Sequence, residues 1–262
     1  MSQSKTLPLS VAVITLNEEA NLARCLESVR ALRPAEIVVV DSGSTDKTAE
    51  IAARFGARFE HNDWPGHVKQ KNHAFSQCVQ PWVLSLDADE CLTPELAESI
   101  LRLFENGEPN RDGYWLNRRT WYLGEWIWHA WYPEWRLRLV RREKARWVGT
   151  DPHDKLEVDG ATARLTGGDF LHYSYSDLTD HLHRMQKYAQ IAARAEAAKG
   201  KPFRWTKLLF SPPGRLFKSL FIKGAWRDGW RGVVIAFSDA TSAFMKYAYM
   251  YENSLREENK SK

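Results

Sequence analysis

Three short apolar runs in the first third of the chain each end abruptly in polar or acidic residues. They span residues 11–16, 37–40 and 82–86. Runs that are this short and continuous are typical of strands buried on both faces of a parallel sheet. Because the carboxyl ends of parallel strands meet at one edge, the polar residues after the runs are predicted to line a common ligand site.

Helical patterns lie between and after these runs. Leu22, Leu26 and Val29 recur at a spacing that places them on one helix face. Thr93 and Pro94 supply an N-cap and a first-turn proline for a later helix. The alternation of strands and helices predicts right-handed βαβ units. The expected fold class is therefore α/β, with a Rossmann-like, mostly parallel sheet covered by helices on both faces.

Composition places few further limits on function. The 262 residues carry a net charge of +4, which alone does not indicate nucleic-acid binding. Cys25, Cys78 and Cys91 form no close pair, and we expect buried thiols in a reducing compartment. Residues 1–10 lack the apolar core of a signal peptide, and no apolar run approaches the ~18 residues of a membrane span. The sequence therefore predicts a cytoplasmic protein.

A polar loop at residues 105–110 marks a change in composition along the chain. Seven tryptophans fall between residues 114 and 147, where aromatic rings can stack on sugars or simply pack a core. Trp135–Arg141 alternates as a half-exposed strand does. We expect three regions: a βα half over 1–108, a second half of the same domain over 109–176, and a helical extension over 177–262.

The helical extension carries a basic and aromatic segment. Residues 201–231 contain eight Lys or Arg and a single acidic residue, Asp228, with aromatic residues between them. This pattern is typical of a helix lying on an anionic membrane. A nucleic-acid surface that uses stacking and phosphate contacts is the alternative.

The third apolar run leads directly into a pair of carboxylates, Asp87 and Asp89. Two carboxylates one residue apart suit a hard divalent cation, Mg²⁺ or Mn²⁺, that shares its remaining coordination sites with a diphosphate. A solvated acidic turn at the end of a strand is the alternative interpretation.

The order and spacing of these motifs resemble a known family, the inverting family 2 glycosyltransferases with the GT-A fold. The resemblance lies in Val13–Glu19, Val39–Asp46 and Leu86–Glu90, with Trp64–Gly66 and Gln70–Asn72 before the acidic motif. The second half of the chain is similar to the bacterial inner-core lipopolysaccharide β-1,4-glucosyltransferase branch. The motifs that carry this second similarity are Arg138–Arg141, Pro152–Leu156, Leu171–Ser174, Lys223–Gly229 and Lys246–Ala248.

The resemblance assigns nucleotide binding to the loops that follow the first two apolar runs, 11–16 and 37–40. It implies that Asp41 accepts the uracil N–H, and that the loop from Asn17 to Glu19 lines the nucleoside pocket. Many members carry a second aspartate where this chain has Ser42, so base recognition falls to Asp41 alone. An aspartate at this turn could instead cap the next helix, although Asp46 or Thr45 is better placed for that.

For the diphosphate, the resemblance implies that Asp87 contacts ribose or a metal-bound water and that Asp89 holds Mg²⁺ or Mn²⁺. Lys71 could contact the phosphates, and a solvated lysine on a helix is its alternative. Relatives in the wider fold add a histidine to the metal. His172 is therefore a candidate ligand, with a structural histidine as the alternative.

Inversion by one direct displacement requires a base and no covalent nucleophile. Asp154 is the candidate base, although the branch usually has Glu at this position, and Asp151 is the second candidate. His153 is either a partner of the base or an ordinary turn histidine.

The resemblance thus implies metal-dependent transfer of a hexose, glucose, from a UDP-sugar to a lipid-linked saccharide, in the heptose region of the inner core. The expected location is peripheral, on an anionic membrane surface at the cytoplasmic face of the inner membrane, without nucleic acid. A nucleotidyltransferase would need a glycine-rich loop after the first strand, and residues 17–20 contain no glycine. A non-catalytic basic and aromatic protein that binds membrane or nucleic acid is the other alternative.

Overall fold

In a computed structural model, the chain forms eleven strands and seven α-helices over the described residues, 6–150 and 153–260. Side chains are described for all of these except 150, 153 and 257–260. The strands are β1 Leu7–Thr15, β2 Pro34–Asp41, β3 Arg58–His61, β4 Trp82–Asp87, β5 Glu90–Leu92, β6 Gly113–Tyr122, β7 Glu125–Trp126, β8 Glu134–Arg141, β9 Ala145–Thr150, β10 His153–Val158 and β11 Thr162–His172. The helices are α1 Leu22–Arg30, α2 Thr48–Arg54, α3 His67–Gln77, α4 Pro94–Leu103, α5 Leu178–Ala198, α6 Trp205–Phe217 and α7 Gly229–Lys260.

The chain divides into two compact units that are discontinuous in sequence. The first unit comprises residues 1–119 and 134–172, and the second comprises residues 120–133 and 173–262. The first unit contains the main sheet, with strand order β3-β2-β1-β4-β8-β6-β11-β5. Strands β3, β2, β1 and β4 are parallel, whereas β8 pairs antiparallel to both β4 and β6. The predicted α/β class is confirmed.

Neighbouring residues of the parallel strands enter different cores, which explains why the apolar runs are continuous. Val11 and Val13 pack into a core with α1 and α4, whereas Ala12 packs into a second core with α3 and the β9–β10 hairpin. The buried face of α1 includes Leu22 and Leu26, as predicted. The sheet is therefore covered on both faces.

Two other local predictions are confirmed. Thr93 caps α4, because its side chain accepts the backbone N–H of Leu96. The three cysteines, Cys25, Cys78 and Cys91, are buried and free, and burial raises the pKa of each thiol.

The prediction that Trp135–Arg141 is half exposed is wrong for its second half. Residues 137–140 are all buried, and Arg138 among them is a charged residue. Alternation fails here because β8 contributes to the cores on both faces of the sheet, with Leu139 in the first core and Leu137 and Val140 in the second.

The second unit is built mainly from α5, α6 and α7, with a short core around Tyr122, Ile127 and Ile235. Asp228 holds one of its loops, since its carboxylate accepts the backbone N–H groups of Trp128, His129 and Ala130. Among residues 6–150 and 153–260, no helix combines the length and apolar character needed to cross a bilayer.

Candidate active site

The carboxyl ends of β1, β2 and β4 lie side by side, as the sequence predicts. In the register of the sheet, Thr15 lies opposite Asp41, and Ile14 lies opposite Asp87. The loops after these strands therefore converge at one edge of the first unit, where open α/β sheets bind their ligands.

Asp41 is buried at the end of β2, and its carboxylate is surrounded by donors of its own turn. It accepts hydrogen bonds from the backbone N–H groups of Gly43 and Ser44 at 2.8 and 2.7 Å, and from the Thr15 hydroxyl at 2.9 Å. Burial alone would raise the pKa of Asp41, but these hydrogen bonds outweigh it and lower the pKa. The carboxylate is therefore held in its anionic form.

Asn17 and Glu19 fasten the first loop to the second. Asn17 has a positive φ of 55°, its backbone N–H donates to the Ser44 hydroxyl at 2.7 Å, and its Oδ1 accepts the N–H of Thr45 at 2.9 Å. The Glu19 carboxylate accepts the N–H of Lys47. Ser44 also donates to Asp41, so Asn17 and Asp41 are linked through one hydroxyl.

Asp46, and not Asp41, contacts the first residue of the next helix. The Asp46 carboxylate accepts the backbone N–H of Thr48, at the start of α2, at 3.0 Å. The alternative interpretation of Asp41 as a helix cap is therefore wrong.

Lys71 lies on α3 and points into the site, where it contacts two carboxylates. Its Nζ is 3.0 Å from Asp87 Oδ1 and 2.9 Å from Asp154 Oδ2, and its side chain is only 6% exposed. It also lies over the Trp147 ring, 4.3 Å from the centroid. The interpretation of Lys71 as a solvated lysine is therefore wrong.

The residues that flank Lys71 fix its helix in place. Buried Gln70 donates to the hydroxyl of Ser42 at 3.0 Å and accepts from Asn62 at 2.6 Å, which ties α3 to the ends of β2 and β3. Asn72 exchanges two hydrogen bonds with the backbone of Trp147 in β9, at 2.8 and 3.0 Å. The motif Gln70–Asn72 thus places one charged side chain between two anchors.

Asp87 is surrounded by positive charge. Arg138 Nη2 lies 3.2 Å from its Oδ2, in addition to the contact with Lys71. Burial would raise the pKa of Asp87, but Lys71 and Arg138 hold it well below the usual range. Asp87 is therefore an anion under all ordinary conditions.

Asp89 and His172 lie together, although 83 residues separate them in sequence. Strands β5 and β11 are antiparallel neighbours with His172 opposite Glu90, which brings His172 Nε2 within 3.3 Å of Asp89 Oδ2. The His172 Nδ1 is buried without a hydrogen-bond partner among the described residues. No group of three or more His, Cys, Asp or Glu side chains that could hold a metal occurs in the described part of the chain.

The carboxylate of Asp89 is the kind of hard oxygen ligand that Mg²⁺ and Mn²⁺ take, and His172 could add a nitrogen ligand beside it. Mg²⁺ usually takes one or two protein carboxylates while phosphates and water complete its shell, so a pair of this kind could hold such a cation.

Of the two candidate bases, only Asp154 belongs to the described residues. Asp154 lies on β10 opposite Gly149 of β9, and its carboxylate reaches the site through Lys71. Asp151 and the side chain of His153 lie outside the described residues.

Comparison with known proteins identifies the family. The family model "Glycosyl transferase family 2" matches residues 10–157. The chain belongs to glycosyl transferase family 2. It is 35% identical to the lipopolysaccharide core biosynthesis glycosyltransferase LpsC of Rhizobium meliloti, over 94% of this chain and 93% of that protein. It is 31% identical to an uncharacterised glycosyltransferase of Rickettsia typhi, over 96% and 89%.

The fold of this family 2 glycosyltransferase is GT-A, which confirms the expectation from the motifs. The crystal structure of residues 1–349 of S. aureus TarS superposes with a TM-score of 0.50 and 17% identity, covering 96% of this chain and 92% of that one.

Two residues beside the site of this glycosyltransferase, Glu90 and Arg138, are not predicted as site residues from the sequence. Glu90 is fully buried and binds both Arg138, at 2.6 Å, and the backbone N–H of Asp87, at 3.0 Å. Arg138 is held fully charged, since Glu90 and Asp87 raise its pKa against the effect of burial. Glu18, within the predicted loop Asn17–Glu19, has a raised pKa, because burial and the nearby Asp89 outweigh its hydrogen bond from Asn21. The signal available for Glu90 was a cluster of three acids within four residues at the end of a strand, Asp87, Asp89 and Glu90.

Proposed function

We propose that this enzyme transfers a hexose, glucose, from a UDP-sugar to a lipid-linked saccharide with inversion of the anomeric carbon. The observation that carries the proposal is the convergence of Lys71, Asp87 and Asp154 at the carboxyl edge of the sheet. The similarity to LpsC, which is named for lipopolysaccharide core biosynthesis, supports an acceptor in the inner core. The motifs of the second half point to its heptose region.

For the donor, Asp41 accepts the uracil N–H and Asp87 contacts the ribose. Each carboxylate oxygen has two lone pairs. Asp41 can therefore accept the uracil N–H while it keeps its hydrogen bonds to the backbone of Gly43 and Ser44. Asn17 and Glu19 shape the pocket by joining the two loops. Lys71 places a positive charge beside the diphosphate.

Asp89 and His172 would hold Mg²⁺ or Mn²⁺, which supplies a Lewis acid for the diphosphate leaving group. Lys71 and Arg138 also place positive charge beside the diphosphate. Both side chains contact the carboxylate of Asp87.

For the acceptor, Asp154 is the base. The acceptor oxygen attacks the anomeric carbon from the side opposite the diphosphate, and its proton passes to the Asp154 carboxylate. The bond between the anomeric carbon and the diphosphate oxygen breaks, and UDP leaves with the electron pair. One displacement without a covalent intermediate inverts the configuration.

The acceptor is reached at an anionic membrane surface, the cytoplasmic face of the inner membrane, where the enzyme binds peripherally. Support comes from the second unit, where large apolar side chains that are each more than half exposed lie among basic residues of α6, the start of α7 and the turns between them. These side chains are Trp205, Leu209, Phe210, Phe217, Phe221, Ile222, Trp226 and Trp230. Aromatic and basic residues together are typical of interfacial helices.

The test is release of UDP from a panel of UDP-sugars with purified lipid-linked acceptor, with and without a chelator. The proposal predicts metal-dependent release from UDP-glucose that requires the acceptor. Binding of vesicles or nucleic acid without UDP release from any donor would instead support the non-catalytic alternative.

A further inference from the structure

The ammonium group of Lys71 is shared between a donor-side carboxylate and the candidate base. It lies 3.0 Å from Asp87 Oδ1 and 2.9 Å from Asp154 Oδ2, and the Trp147 ring covers it on another side. The side chains of Lys71 and Asp154 are 6% and 13% exposed, so water screens this ion pair weakly. Lys71 thus neutralises the charge of the candidate base and occupies Oδ2, one of the two oxygens through which the Asp154 carboxylate could take a proton.

The backbone around this ion pair is fixed by hydrogen bonds, whereas the contact with Asp154 is made by the end of a long side chain. Asn72 joins α3 to β9 by two hydrogen bonds, and β9 in turn pairs with β10, which carries Asp154. A lysine ammonium is a compact charge on a flexible four-carbon stem. A competing anion can therefore draw the Lys71 Nζ away from Asp154 without moving either strand or helix.

We propose that Lys71 couples donor binding to the release of Asp154. The inference rests on the proposed function, since the competing anion is the diphosphate of the donor. Without donor, Lys71 neutralises Asp154 and holds its Oδ2. When the diphosphate binds, the ammonium turns to the phosphate oxygens, and the Asp154 carboxylate becomes free to accept a proton from the acceptor. Donor binding thereby precedes activation of the base.

A binding measurement tests the coupling without any transfer reaction. Because Asp154 and the diphosphate compete for Lys71, Asp154→Asn is expected to bind UDP more tightly than the parent, by about threefold to tenfold. Uridine, which has no phosphate, should bind both proteins equally. Glu157→Gln is the matched control, because it removes a carboxylate from the same strand that contacts Lys155 and not Lys71.

A double-mutant cycle separates this coupling from simple charge repulsion. In a Lys71→Met background, Asp154→Asn should leave UDP affinity unchanged, since the shared cation is gone. Lys71→Gln serves in the same role if the Met variant does not fold, as judged by circular dichroism.

Two results would overturn the coupling: unchanged UDP affinity in Asp154→Asn, or a gain of equal size with and without Lys71. A parent protein that binds no UDP would instead overturn the proposed function.

Discussion

Arg138 and Glu90 form an ion pair in the interior of the sheet, with Nη2 and Oε1 2.6 Å apart. Their side chains are 5% and 0% exposed. The pair holds Asp87 in position, because Glu90 also accepts the backbone N–H of Asp87, and Arg138 contacts the Asp87 carboxylate. The donor-side carboxylate is thus fixed at both its backbone and its side chain.

Arg138→Met should strongly destabilise the first unit. Removing Arg138 leaves the buried Glu90 carboxylate with only the longer contact to Arg118 at 3.7 Å, and breaking a buried ion pair typically costs about 3–5 kcal/mol of unfolding free energy. Urea denaturation measures this loss. Arg136→Met is the control on the same strand, since that arginine is exposed and should cost at most about 1 kcal/mol. Equal losses for the two variants would contradict the assigned role of the pair.

Asp89→Asn should abolish the gain in UDP affinity that Mg²⁺ or Mn²⁺ produces, while the melting temperature stays unchanged. The amide loses the charge that attracts the cation, but a residue at the edge of the sheet contributes little packing. Asp63→Asn is a matched control, because Asp63 also pairs with a histidine, His61, but at an exposed position. Titration of each variant with UDP, with and without metal, checks the assignment. An unaltered metal effect in Asp89→Asn would refute it.

The double variant Phe210→Ser, Phe221→Ser should bind vesicles of phosphatidylethanolamine and phosphatidylglycerol about tenfold more weakly or worse, since each phenylalanine buries apolar area in the interface. Both side chains are exposed, so the fold should be unaffected. Vesicle sedimentation measures the binding, which should also fall with added salt. Val79→Ser, an exposed apolar residue of the first unit, is the control. Undiminished sedimentation of the double variant would exclude this surface.

Stability of the second unit should decrease as the pH falls below about 6.5, the ordinary pKa of histidine. Buried His181 lies 2.6 Å from the Tyr122 hydroxyl, and burial lowers its pKa despite the opposing charges of Asp239 and Asp180. The unfolded chain therefore binds a proton more readily than the folded one, so acid favours unfolding.

His181→Gln should flatten this dependence between pH 7 and 5, and thermal melts at each pH would show it. His183→Gln, at an exposed position of the same helix, should leave the slope as it is. If His181→Gln leaves the pH dependence of stability unchanged, a group other than His181 is responsible for it.

The parallel half of the sheet could be predicted from the sequence because its strands are buried on both faces. Continuous runs such as 82–86 have few other interpretations, and the polar residues that follow them necessarily meet at one edge. The positions of Asp41, Asp87 and Asp89 at this edge could therefore be predicted without a structure.

The partners of these residues could not be predicted, because they come from distant elements. Alternation along β8 suggested that Arg138 faces water, and nothing nearby in sequence indicates that Glu90 neutralises it. Lys71 has no local sign of burial, since the carboxylates that hold it lie 16 and 83 residues away. Contacts across such separations depend on the order of strands in the sheet, which a periodic pattern does not contain.

The most direct test of the account is the rate of glucosyl transfer by Asp154→Asn, followed as UDP released from UDP-glucose with saturating lipid-linked acceptor. The asparagine keeps the size of the side chain but cannot take a proton at neutral pH. Because general-base catalysis contributes about 10²–10⁴-fold, the rate should fall by that factor while UDP still binds. Asp151→Asn should remain active. Transfer by Asp154→Asn at the parent rate would contradict the central claim that Asp154 is the base.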